Sequence, residues 1–228
     1  MQLQSKQPHI GTTIFTVMSK LANDHGALNL SQGFPNFECS PKLIELVEKY
    51  LRKGMNQYAP LSGIQPLREI IAQKTSELYG ISYHPDQEVT IVSGATEALY
   101  AAITAVVQTG DEVILLEPNY DSYEPAVRLN GGIPVYVTLT PENNYQIDWN
   151  VVKAKITEKT KLILLNTPHN PTGTVMSKDD LEQLAAIVKD TNIFIVSDEV
   201  YEHIIFDGHN HPEYPKQWRI RIKLQICP

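Results

Sequence analysis

Cysteine is scarce: only Cys39 and Cys227 occur in 228 residues, far apart and without His or Cys neighbours at metal-ligand spacing. That scarcity argues against a disulfide framework and a zinc site, and it suits a reducing cytoplasm. Long apolar runs are missing too. No stretch approaches the ~18 apolar residues of a membrane span, and MQLQSKQPHI has no apolar core behind a basic start, so an unprocessed, soluble chain is expected. Nor is there a basic excess. Nineteen Lys+Arg stand against 26 Asp+Glu, a net charge of −7, which gives no whole-chain field for nucleic acid or an anionic membrane. With 42% hydrophobic residues the chain can bury a sizeable core, and a small molecule becomes the default partner.

What is present is an alternation of elements. Residues 1–40 are polar and broken by Pro8, Gly11, Gly26, Gly33 and Pro35, which reads as an extended arm with one short helix around Ile14 to Leu21. From Pro41, the spacing of Leu43, Leu46, Val47, Tyr50 and Leu51 predicts a helix with Ser40 as N-cap, and a second helix carries Leu67, Ile70, Ile71 and Leu78. Beyond His84, the apolar runs EVTIVS (88–93), EVILLEP (112–118), IPVYVTL (133–139), KLILLN (161–166) and IFIVSD (193–198) alternate with helical stretches such as Glu97–Val107 and Lys178–Lys189. Near-continuous Val/Ile/Leu content predicts strands buried on both faces, hence an α/β fold with a mostly parallel sheet and flanking helices. In the last stretch, Ile220, Ile222, Leu224 and Ile226 alternate with Arg219, Arg221, Lys223 and Gln225, a pattern that suits a half-exposed strand and not a buried parallel one.

The polar residues that follow these runs carry the chemistry. In VSGATEAL (92–99), Ser93, Gly94, Ala95 and Thr96 lead from a predicted strand into a helix, where free N–H groups and the helix dipole favour an anion; an ordinary βα turn capped by Ser93 or Thr96 is the alternative. Asn170, in NTPHNPTG (166–173), would project from the carboxyl edge of the sheet, or belong to a turn that only reverses the chain. Asp198, in SDEVYEH (197–203), is costly at a strand end unless partnered; a protonated pyridine nitrogen is one such partner, and helix capping is the bland alternative. Tyr201 offers a hydroxyl to a ring oxygen, and Tyr120, in EPNYDSYEP, offers an aromatic face for stacking or simply packs. Tyr58, in NQYAPLSG, has no role assignable from its own surroundings.

Taken in order, LSQGFPNF (30–37), NQYAPLSGIQPLRE (56–69), VSGATEAL, EPNYDSY, NTPHNPTG and SDEVYEH resemble the class I aminotransferases, nearest the methionine and kynurenine/glutamine transaminase branch, from the arm to about residue 210. The resemblance implies an incomplete fold-type I large domain that binds pyridoxal 5′-phosphate. In that reading Gly94, Ala95 and Thr96 cradle the phosphate, Tyr120 stacks on the ring, Asn170 and Tyr201 bond its phenolic oxygen, and Asp198 pairs with its nitrogen. Gly33 would lie against the substrate carboxylate, and Tyr58 would reach across a homodimer interface. The implied reaction is ping-pong transfer of an amino group from a methionine-type or aromatic amino acid to a 2-oxo acid. A nicotinamide-binding fold is disfavoured because SGATEA stands where G-x-G-x-x-G would open the first helix.

The chain also departs from the family. No lysine after Tyr201 stands in the Ser-rich setting of the family's Schiff-base lysine; Lys216 and Lys223 are the only candidates. The implied organisation is an arm (1–40), a partial large domain (41–210) and an aberrant tail (211–228), in a C-terminally truncated chain. Two family strands would be missing between EVTIVS and IFIVSD, a gap of about 14 Å, with the tail as a candidate edge and aggregation as the expected consequence. An inactive remnant or a lyase relative is the alternative to an aminotransferase.

Overall fold

The computed structural model describes residues 4–8, 10–33, 35, 37–208 and 211, and the backbone of 221–224. The chain divides into two compact units, Met1–Ile64 and Gln65–Pro228. The helix read from Pro41, grouped above with the large domain, lies in the first unit.

In the first unit, α1 (Ile14–Asp24) begins where Thr13 accepts a hydrogen bond from the Thr16 amide, and α2 (Pro41–Arg52) begins with proline, whose missing N–H costs nothing in a first turn. Ser40 occupies the expected cap position of α2 but makes no side-chain capping bond. Ser19 of α1 donates to Gln32 Oε1 and accepts from Asn29 Nδ2, both at 3.0 Å, which ties the LSQG segment to the helix.

The second unit contains α3 (Gln65–Tyr79), α4 (Ala95–Val106), β1 (Glu112–Glu117), α5 (Tyr123–Leu129), β2 (Ile133–Thr138), α6 (Trp149–Ala154), β3 (Thr160–Asn166), α7 (Lys178–Val188), β4 (Phe194–Asp198) and β5 (Arg221–Leu224). The strands form one parallel sheet in the order β2-β1-β3-β4-β5. Because successive side chains point to opposite faces, the continuous apolar runs feed two cores. Ile114, Leu116, Ile163, Leu165 and Ile195 pack with Trp149, Leu181 and Leu184 on the α6/α7 face. Val113, Leu115, Leu162, Leu164 and Val196 pack with Leu99, Ile103, Tyr123 and Val127 on the α4/α5 face. Local chemistry sets the helix starts: Asp148 caps α6, and Ser177 and Asp180 form a capping box at α7.

One expectation is corrected. EVTIVS forms no strand: residues 89–92 run without a ladder, because no strand among the described residues lies alongside to accept their N–H groups. The tail forms a strand, and β5 pairs parallel to β4, matching Ile195 with Arg221 and Asp198 with Leu224. Twenty-odd residues separate β4 from β5, enough for the dozen or so that a parallel crossover requires. As expected, β5 is the edge of the described sheet.

Candidate active site at the carboxyl edge of the sheet

In a parallel sheet all strands end at the same edge, so the segments after β1, β3 and β4 converge there. The register pairs Asn166, the last residue of β3, with Asp198, the last of β4. Asn166 is buried and joins the two segments. Its Nδ2 donates to the Asp198 carbonyl at 2.9 Å, and its Oδ1 accepts from the Asn170 amide at 2.6 Å. The turn that carries Asn170 is closed by hydrogen bonds from the His169 amide to the Thr174 carbonyl and from the Gly173 amide to the His169 carbonyl, both 2.8 Å. His169 itself is buried, with Nδ1 2.8 Å from Thr172 Oγ1, and burial lowers its pKa to about 4, so it is neutral at pH 7.

Asp198 is 4% exposed. Its Oδ2 accepts from the Tyr123 hydroxyl at 2.7 Å, and its Oδ1 accepts from the Val200 amide at 3.2 Å. Burial pushes the carboxyl pKa above the usual range, and these two donors oppose the push. Among the described residues, no Lys, Arg or His forms an ion pair with it. Tyr201 also has a raised pKa, first from burial and then from the nearby Asp198 charge and Tyr120, which places these three groups in one electrostatic neighbourhood. Tyr120 meets Tyr123 edge to face, with ring centroids 5.7 Å apart at 81°.

Gly94 is the N-cap of α4 at φ +88°, a conformation other residues rarely adopt, and a Cβ built there meets no atom within 4 Å. The helical ladder starts with the Ala98 amide on the Gly94 carbonyl, so the N–H groups of Ala95, Thr96 and Glu97 precede it. Neither Ser93 nor Thr96 caps the helix; the Glu97 carboxylate folds back to the Ser93 amide instead. α4 packs on the face that carries Val196, and Asp198, two residues on, has the same parity.

Gly94, Ala95, Thr96, Tyr120, Asn170, Asp198 and Tyr201 thus all belong to the second unit, whereas Gly33 and Tyr58 belong to the first. Tyr58 is fully exposed there. Lys216 lies outside the described residues, and the backbone of Lys223 is in register with Ser197, not with Asp198.

Sequence reasoning missed Tyr123 and Asn166, although both lie in quoted motifs; the signal was a second tyrosine three residues after Tyr120, and an asparagine ending an apolar strand. It also missed a buried acidic pair beyond β4. Glu202 accepts from the Tyr79 hydroxyl and lies 3.5 Å from Lys74 Nζ, which fastens α3 to the turn after β4. Glu199 lies 3.6 Å from His211 Nε2.

Residues 26–224 match the Aminotransferase class I and II family, and the chain belongs to that family. The match runs past residue 210, where the resemblance read from the sequence stopped. The chain is 51% identical over 208 residues to a methionine aminotransferase of Escherichia coli, covering 91% of this chain and 54% of that protein. It is 37% identical over 204 residues to the human kynurenine–oxoglutarate transaminase 1, covering 84% and 48%. Among solved structures, it superposes on Escherichia coli YbdL, described as having a methionine aminotransferase function, with a TM-score of 0.94 at 47% identity, over 99% of this chain and 59% of that one. The chain spans about half the length of these curated relatives.

Proposed function

We propose that the protein is a pyridoxal-phosphate-dependent aminotransferase that moves an amino group from a methionine-type or aromatic amino acid to a 2-oxo acid. The observation that carries this reading is Asp198, a buried carboxylate that ends a central strand and has no cationic partner among the described residues. A buried charge is tolerated when a counter-charge meets it, and a protonated pyridine nitrogen supplies one. The other residues fit the same group: Gly94 offers open space, Ala95 and Thr96 offer a phosphate N–H groups that precede the helical ladder, Tyr120 offers a ring face, and Asn170 and Tyr201 offer donors to a phenolic oxygen. When bound, the cofactor supplies the electron sink that makes the α-proton of an amino acid removable. Asp198 would hold the positive charge of the ring nitrogen, and Tyr201 would donate to the phenolic oxygen.

Gly33 at a substrate carboxylate, Tyr58 across a homodimer interface, and a cytoplasmic site belong to the same reading. The donor class is supported by the 51% identity to the methionine aminotransferase of Escherichia coli. Lyase chemistry and a remnant that binds without turnover are separated from transamination by one experiment, titration with pyridoxal phosphate followed by borohydride reduction and mapping of any labelled lysine. Saturable binding that is lost in Asp198→Asn supports the cofactor reading, and one labelled lysine with oxo acid formed supports transamination by this chain. Saturable binding without labelling or turnover identifies the remnant, and no saturable binding overturns the cofactor reading.

A further inference from the structure

Tyr123 is absent from every role assigned above, yet it is the most completely buried tyrosine of the second core, 2% exposed, and its hydroxyl ends on a carboxylate 75 residues away in sequence. Its ring is immobilised among the apolar residues of the α4/α5 face and edge-on to Tyr120. A carboxylate has about four acceptor positions. At Asp198 one position on Oδ2 is taken by Tyr123 and one on Oδ1 by the Val200 amide, so both oxygens are anchored and rotation about the carboxyl torsion is stopped.

We propose that Tyr123 is the positioning residue for the Asp198 carboxylate, clamping Oδ2 so that the remaining lone pairs keep a fixed direction toward the cation bound there. The last clause rests on the function proposed above; the clamp itself does not. Two physical consequences follow from the environment. Burial, followed by the Asp198 charge, drives the Tyr123 pKa upward, so the phenol stays protonated and acts only as a donor. A donor to the ionised carboxylate also counteracts the burial that favours the neutral acid. Tyr123 therefore acts through Asp198 on both its orientation and its charge.

The test has one arm without cofactor and one with it. In the first, carboxyl-labelled aspartate is followed by carbon NMR, with Asp198→Asn assigning the resonance. Tyr123→Phe keeps the ring and is expected to raise the Asp198 midpoint by about one unit; an unchanged midpoint overturns the proposal. Should the phenylalanine variant not fold, 3-fluorotyrosine labelling preserves the shape and makes the phenol a stronger donor. The Asp198 midpoint then falls if Tyr123 tunes it and stays where it was if it does not.

In the second arm, pyridoxal phosphate is compared with its 1-deaza analogue, which lacks the ring nitrogen. Tyr123→Phe should weaken binding of pyridoxal phosphate about tenfold, equivalent to one pKa unit of lost coupling, and leave the analogue unaffected. Equal weakening of both means that Tyr123 only supports the fold, and the positioning role is wrong. Failure of the unmodified chain to bind either compound defeats the proposed function, while the NMR arm still decides whether Tyr123 controls Asp198.

Discussion

The two units use apolar residues in opposite ways. α1 and α2 have the helical spacing of amphipathic elements, yet neither buries a single residue, and Leu43, Ile44, Val47, Tyr50 and Leu51 are all exposed. In the second unit, β1, β3 and β4 are buried on both faces, and the helices beside them bury their apolar stripes against those strands. The same pattern of hydrophobic residues therefore stabilises one unit and is energetically idle in the other. Burial, not periodicity, turns an apolar side chain into stability.

The sharpest way to break this comparison is a pair of matched truncations. Leu165→Ala empties a fully buried site between β3 and the α6/α7 layer and should cost about 2–5 kcal/mol. Leu51→Ala, at a residue 52% exposed, should stay within about 0.5 kcal/mol. Urea unfolding monitored by circular dichroism measures both, and equal losses would refute the contrast.

Acid should single out the second unit. His169 has a folded pKa of about 4 against 6.5 in the unfolded chain, so the unfolded state binds the proton first as pH falls. Its contribution is complete above pH 6.5 and is lost as pH drops to about 4, by at most ~3 kcal/mol. Asp198 has the opposite sign. Its raised pKa gives a contribution present below 3.8 and lost as pH rises through the folded value. Comparing the pH dependence of thermal melting for the parent chain and His169→Gln cancels the Asp198 effect, and the variant should lose less stability between pH 6.5 and 4.

The smallest contrast concerns two glycines. A Cβ at Gly132 meets Val107 Cγ1 at 2.7 Å and Val127 Cγ1 at 2.9 Å, so Gly132→Ala should cost about 1–3 kcal/mol through overpacking. At Gly33 a Cβ meets nothing and φ is ordinary, so Gly33→Ala should leave the unfolding midpoint unmoved within about 0.5 kcal/mol. A similar loss at both sites would show that the first unit is packed after all.

Much of the second unit was legible in advance. EVILLEP, IPVYVTL, KLILLN and IFIVSD became β1 to β4 within a residue or two, because runs that are apolar on both faces have few homes other than a covered parallel sheet. The helix starting at Pro41 was marked by its proline, and the helix starting at Lys178 by the helical stretch read over Lys178–Lys189. EVTIVS had the same local signature and failed, since a strand exists only where another strand meets it. The tail's alternation predicted a strand and a candidate edge, and β5 is at the edge of the described sheet, but the pattern carried no information about the sense in which it would pair. At the site, Asp198 and Asn170 were visible as polar residues after apolar runs, whereas Tyr123 looked like one more aromatic in a helix start.

The sequence by itself determined the class of fold, the family, and the kinds of side chain at the strand ends, because periodicity, turn chemistry and motif order are local and survive translation into text. The tertiary structure alone decided that β5 lies parallel to β4, that Asn166 ties the Asn170 turn to Asp198, and that Tyr123 reaches that carboxylate across 75 residues. Those are partnerships between distant groups, and a buried polar group takes its partner from whatever packing brings within hydrogen-bond distance.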